Sequence, residues 1–145
     1  TLSLKTVAKI TTQPSNVLVE SGKSFAVKVT AGGDGLTFKW YYKDKGMSSF
    51  AYTSTFKTHT YSTTMNDSRN GRQVYCVVTD KYGNKVTSKT VTISMKTVAK
   101  ITTQPSSVTV ANGKAVNVTV KAVGDGLTYK WYYKNKKSLW TWFNK

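Results

Sequence analysis

The sequence offers one histidine, His59, one cysteine, Cys76, and six carboxylates for chemistry that moves protons, attacks electrophiles or holds metals. The acids are Glu20, Asp34, Asp44, Asp67, Asp80 and Asp125. Acyl or phosphoryl transfer needs a nucleophile, a base and an orienting group converging on one point. His59 opens a Thr/Ser-rich stretch with no acid beside it, and Asp34 and Asp125 occupy one position of a recurring GDG turn. Asp80 stands next to another turn, KYGNK, where short acids cap backbone amides. Cys76 alternates with Val74 and Val78 on an apolar face, where a thiol acts as a small hydrophobe. No Cys/His spacing suits zinc, and no glycine-rich phosphate loop leads into a helix. Calcium takes roughly six to eight oxygen ligands, an unfavourable demand on a chain of net charge +16. Glu20, the one acid that could promote a Lys–Asn isopeptide bond, sits in the turn-like ESGK. These residues predict a non-enzymatic protein without cofactor or metal.

Charge offers a second kind of chemistry. Of 22 basic residues only Arg69 and Arg72 are arginine, and the lysines are scattered rather than gathered in runs. Lysine is a hydrated point charge, whereas arginine makes the bidentate contacts that read phosphates and bases. The excess fits a soluble surface or loose attraction to polyanions, not specific nucleic-acid recognition. No run of eighteen apolar residues is present, so membrane insertion is not expected. A single cysteine excludes an intrachain disulfide and leaves the redox compartment open.

The elements that must position these residues are strands. SFAVKVTA places Phe25, Val27, Val29 and Ala31 on one face, and LTFKWYYK places Leu36, Phe38, Trp40 and Tyr42 inward. GGDG between them, Gly32 to Gly35, predicts a hairpin-like connection. HTYSTTM, QVYCVVTD and VTSKTVTI supply further strands, and Gln13-Pro14 breaks the first strand in two. About seven short strands separated by turns predict an all-β sandwich.

KTVAKITTQPS occurs at Lys5 to Ser15 and again at Lys96 to Ser106, 91 positions on. AGGDGLTFKWYYKDK, Ala31 to Lys45, returns at the same offset as AVGDGLTYKWYYKNK, Ala122 to Lys136. A period of this size is one sandwich domain, not a solenoid repeat. The expected organisation is the end of a preceding repeat and linker over 1–7 and a complete domain over 8–95. A linker over 96–98 and the first half of a second copy over 99–145 follow. Similarity stops after Lys136, consistent with a degenerate last repeat or with a truncation or frame change; Trp140 and Trp142 are read as accidental. The half copy is expected to be marginal, with strand edges open to pairing in trans and easier proteolysis after Lys96.

ITTQPS, GDGLTFKWYY and GRQVYCVVTDKYGN together resemble the immunoglobulin-like tandem repeats of bacterial secreted or wall-attached proteins, and this resemblance spans the first domain and the second copy to Lys136. It implies an immunoglobulin-like sandwich of about seven antiparallel strands, with Trp40 as the core tryptophan of strand C and Cys76 on strand F. Val29 stands where the strand B cysteine would be, so apolar packing must join the sheets. Val74 replaces the tyrosine expected two residues before Cys76, which removes the usual corner hydrogen bond. Val120 and Trp131 repeat the core positions of Val29 and Trp40. Outward residues Lys39, Tyr41 and Lys43 of strand C would stand near Tyr75 and Val77 of strand F.

Two functions follow from this reading. One is a structural spacer in an extracellular or cell-surface protein of a Gram-positive-type bacterium, its partners being neighbouring repeats. The other is an adhesion module whose Lys39/Tyr41/Lys43/Tyr75 face takes a glycan or an anionic wall polymer.

Overall fold

The computed structural model describes residues 2–135, so Trp140 and Trp142 lie outside the described residues. The chain divides into two compact units, Thr1–Thr97 and Val98–Lys145.

Unit 1 is built from β1 (Lys9–Thr12), β2 (Val17–Val19), β3 (Ser24–Lys28), β4 (Thr30–Gly32) and β5 (Thr37–Lys43). After these come β6 (Ala51–Thr53), β7 (Thr60–Thr64), β8 (Arg72–Thr79), β9 (Lys85–Thr87) and β10 (Val91–Met95). One layer runs β2-β10-β8-β5-β6, with β9 added to β8; the other holds the pairs β3–β7 and β1–β4. Strands β3 and β4 continue one line, since the Val29 amide between them donates to the His59 carbonyl at 3.0 Å. Between Thr87 and Val91 the last strand is interrupted, and Ser88 bridges the gap. Its Oγ accepts from the Cys76 amide at 2.9 Å, while its own amide donates to the Cys76 carbonyl.

Two expectations about connectivity are corrected. The GGDG loop does not join a hairpin, because β5 pairs with β6 and β8 and not with the strands preceding it. Gly33 at φ +142° and Gly35 at φ +58° instead carry the chain from one sheet to the other. A Cβ on Gly33 would stand 3.0 Å from Ala8 Cα, so a side chain is excluded by backbone conformation and by space alike. Nor are all strands antiparallel. Beyond the Gln13-Pro14 break the chain crosses to the opposite sheet, where β2 runs parallel to β10 with Val17 opposite Ile93.

The core lies between the layers. Val27 and Val29 from one sheet meet Val74, Cys76, Val78 and Ile93 from the other, all at most 1% exposed. Trp40 is wholly buried; its indole N–H donates to the Thr58 carbonyl at 2.8 Å, and its ring lies 5.7 Å from that of Tyr61. A buried indole needs such an acceptor, or desolvation of its N–H offsets the gain from its area.

Unit 2 contains, among its described residues, β11 (Lys100–Thr103) and β12 (Lys121–Val123). They pair antiparallel, Lys100 with Val123, Ile101 with Ala122 and Thr103 with Lys121. Val120 is half-buried, and Trp131 is 58% exposed. This departs from the core position expected for Trp131. The second layer that buries Trp40 in unit 1, with Tyr61 and the Thr58 carbonyl, has no counterpart among the described residues of unit 2.

Candidate functional site

The outward face of β5, β8 and β6 carries a row of aromatic rings set by strand register. Tyr41 is opposite Tyr75 on β8 and opposite Tyr52 on β6. Tyr41 and Tyr75 stack with centroids 5.0 Å apart and planes 8° from parallel, and Tyr52 tilts against Tyr41 at 5.7 Å. Phe50, in the loop before β6, meets Tyr75 edge-on at 4.9 Å. Lys39 Nζ lies 5.8 Å from the Tyr52 ring and Lys43 Nζ 5.4 Å from the Phe50 ring, at the outer reach of cation–π attraction. The structure therefore brings Lys39, Tyr41, Lys43 and Tyr75 together and adds Phe50 and Tyr52. Those two were missed because the stretch after Gly46 gives no clear alternation; the AYT triplet before a Ser/Thr run was its only strand signal.

Val77, expected on this face, stands opposite both Lys39 and Thr87 in the ladder. Cys76 is fully buried, and burial pushes its thiol pKa up to about 12, which keeps it protonated and unreactive. Glu20 is a half-exposed surface acid 3.8 Å from Lys96 Nζ. Among the described residues no three His, Cys, Asp or Glu side chains gather where they could hold a metal ion. No helix among them is long and apolar enough to cross a membrane.

A second constellation fixes the segment that leads into the domain. Asp34 and Thr6 bond twice: the Asp34 amide donates to the Thr6 carbonyl at 2.9 Å, and the Thr6 amide donates to Asp34 Oδ2 at 3.1 Å. Tyr82 Oη also donates to Asp34 Oδ2, at 2.7 Å, and Lys5 Nζ sits 4.3 Å from the Tyr82 ring. The Tyr82 hydroxyl and the Thr6 amide hold the Asp34 carboxyl below its ordinary range, and the same bond to Asp34 raises the Tyr82 pKa.

Two residues on, the Ala8 amide donates to Asp80 Oδ2 at 2.9 Å. Asp80 also accepts from the amides of Tyr82 and Asn84 and from Asn84 Nδ2. Burial raises the Asp80 pKa, but the bonds from Asn84, Ala8 and Tyr82 outweigh it and bring it down to about 2. Both acids read from sequence as turn residues thus also tie Lys5–Ala8 to the two loops.

At the other end of unit 1, Arg72 grips Asp44 bidentately, Nη2 to Oδ2 at 2.7 Å, and donates from Nη1 to Tyr61 Oη at 2.8 Å. Its guanidinium also lies 4.6 Å from the Tyr42 ring. Burial works against the Arg72 charge, but the bonds to Asp44 and Tyr61 outweigh it and leave its pKa above the usual value. This triad pins a tyrosine hydroxyl in a domain whose usual corner tyrosine is Val74.

Two sheets packed face to face, with a buried tryptophan on the strand next to the one bearing Cys76, define an immunoglobulin-like β-sandwich. Among solved structures, Sidekick-1 immunoglobulin domains 1–5 superpose with a TM-score of 0.64 at 16% identity, over 84% of this chain and 26% of that one. A titin Ig tandem gives 0.49 at 17% identity, over 86% of this chain and 66% of that one. Tandem Ig repeats of Dlar give 0.42 at 16% identity, over 83% and 66%. The chain spans about a quarter of the Sidekick-1 chain it matches. No protein-family model matches the chain, and no curated protein does.

Proposed function

We propose that this chain is a non-catalytic spacer segment of a multi-domain extracellular bacterial protein, organised as a complete immunoglobulin-like domain over 8–95, a linker over 96–98 and a further copy from 99. The observation that carries this reading is the fixed lead-in: KTVAKITTQPS is repeated verbatim, and in unit 1 its Lys5, Thr6 and Ala8 are held by Asp34, Asp80 and Tyr82. A spacer needs length and defined junctions rather than distinct chemistry in each copy. Its partners are the neighbouring repeats, and its lysines keep the surface soluble.

A glycan- or wall-polymer-binding face is the second reading, favoured by the Tyr41/Tyr52/Tyr75/Phe50 row flanked by Lys39 and Lys43. The rings turn largely toward one another, as cross-strand pairs that stabilise a sheet do, and this favours the spacer. Binding of the chain to Gram-positive cell walls and a glycan array, at low and physiological salt, separates the two. The spacer predicts no saturable binding at physiological salt. Saturable binding that survives salt and disappears in Tyr41→Ala/Tyr75→Ala would replace it with adhesion.

A further inference from the structure

Nine tyrosines are spread along the chain, and those of unit 1 are sorted by what their hydroxyls and ring faces meet. Tyr61 is buried and accepts from Arg72 Nη1, and the Tyr82 hydroxyl donates to Asp34. The hydroxyls of Tyr41, Tyr52 and Tyr75 bond to no other group among the described residues. The same three make the ring contacts between tyrosines in unit 1, Tyr41 with Tyr75 and Tyr41 with Tyr52. Phenols held side by side on a solvent-facing sheet, with their oxygens unengaged, are the reactants of oxidative phenol coupling.

The two contacts differ in what they permit. Tyr41 and Tyr75 lie 8° from parallel with centroids 5.0 Å apart, a face-to-face arrangement. Coupling joins ring edges, and the hydroxyls flanking the new bond keep the joined rings twisted out of one plane. A parallel stack must therefore come apart before it can react. Tyr41 and Tyr52 already stand 54° apart, with centroids at 5.7 Å, on directly opposed residues of β5 and β6. Directly opposed Cβ atoms are about 4.5–5.5 Å apart, so rotation about the side-chain bonds brings the two ring edges together. Exposure points to the same pair. Tyr52 is 46% exposed and is the ring an oxidant reaches first. Tyr75 is half-buried, with Tyr41 stacked on its face and Phe50 edge-on at 4.9 Å. Its stack steadies the Tyr41 ring for the neighbour on the other side.

We infer that Tyr41 and Tyr52 form an oxidative cross-linking site, joined as dityrosine when a haem peroxidase and hydrogen peroxide supply the oxidant. Each phenol gives up one electron and its hydroxyl proton. The two radicals join through ring carbons ortho to oxygen, and the hydrogens on those carbons move to the oxygens and restore both hydroxyls. The pair loses two hydrogen atoms in all; the O–O bond of one hydrogen peroxide breaks as it takes them up and becomes two waters. The product ties β6, an edge strand of three residues, covalently to the interior strand β5. Short edge strands with few contacts open readily, so the link closes a route of local unfolding. The inference stands on ring geometry and holds whether unit 1 serves as a spacer or as an adhesion module.

The test treats the full chain, kept dilute, with hydrogen peroxide and a haem peroxidase. The monomer is isolated by size exclusion, and its tryptic peptides are mapped by mass spectrometry. Trypsin releases the same tetrapeptide, WYYK, from Trp40–Lys43 and from Trp131–Lys134, so the starting chain carries Tyr132→Phe/Tyr133→Phe. The expected product joins WYYK to Gly46–Lys57, has two hydrogen atoms fewer than the separate peptides, and shows dityrosine fluorescence. Tyr41→Phe and Tyr52→Phe should each abolish it, whereas Tyr42→Phe and Tyr75→Phe should leave it in place. Each of these substitutions keeps the ring and removes only the hydroxyl, and circular dichroism verifies that the sandwich is retained. A monomer without this link would overturn the inference, as would a link from WYYK to Gln73–Lys81 in its place. Persistence of the product in Tyr41→Phe, or its loss in Tyr75→Phe, would overturn it too.

Discussion

Val29→Cys asks whether the two sheets face each other as the core composition requires. Val29 and Cys76 are both wholly buried, one on each sheet, and Cys76 is the sole thiol in the chain. A disulfide between positions 29 and 76 would close a loop of about 47 residues, which in the chain-entropy treatment stabilises by about 4 kcal/mol. Replacing valine by the smaller cysteine costs about 1 kcal/mol in lost packing. The oxidised variant should therefore be about 3 kcal/mol more stable than the parent, and the reduced variant about 1 kcal/mol less stable. For a domain of this size that gain corresponds to a melting temperature higher by about 12–24 °C. Thiol titration counts the free sulfurs, and thermal unfolding by circular dichroism with and without reductant gives the shift. Two free thiols persisting under oxidant would refute the cross-sheet placement, because a disulfide forms only when the two Cα atoms lie within about 7 Å. Equal melting of oxidised and reduced forms would refute the argument as well.

Asp80 titrates at about 2 when folded, below its ordinary value of 3.8, so its contribution is complete above pH 3.8 and is lost as pH falls through about 2; urea unfolding across this range should show a steeper acid loss for the parent than for Asp80→Asn. Asp44→Ala leaves the Arg72 guanidinium and the Tyr61 hydroxyl without their anchor and should cost about 2 kcal/mol, read as a lower urea midpoint with an unchanged m-value. Gly33→Ala should cost about 2 kcal/mol or more, since it adds a clash with Ala8 to the strain of φ +142°. Gly46→Ala, at φ +93° in open space, should lose less in the same measurement.

Alternation along SFAVKVTA, LTFKWYYK and QVYCVVTD made the inward residues legible, because a strand buried on one face leaves a period-two record. Connectivity left no such record. GGDG has the composition of a hairpin turn, but the approach of Gly33 to Ala8 that turns it into a crossover depends on a residue far away in sequence. The tyrosine row was half legible: Tyr41 and Tyr75 follow from strand phase, whereas Tyr52 lies on a short edge strand with weak alternation and Phe50 in the loop before it. Asp34 and Asp80 were legible as turn residues; their grip on Thr6 and Ala8 was not, since side chain–backbone bonds across 28 and 72 residues have no sequence period. The Arg72–Asp44–Tyr61 triad is of the same kind.

The parallel pairing of β2 with β10 sets an order on synthesis. Val17–Val19 leaves the ribosome early, yet its partner Val91–Met95 arrives only when the repeat is nearly complete. While the chain waits, β1 and β4 can pair, because fewer than 25 residues separate Lys9 from Gly32. The sandwich itself closes late, through contacts of long sequence separation that are slow to form. Where near-identical copies follow one another on a chain, the strand that arrives meets waiting partners of almost the same sequence in its own copy and in any copy synthesised before it.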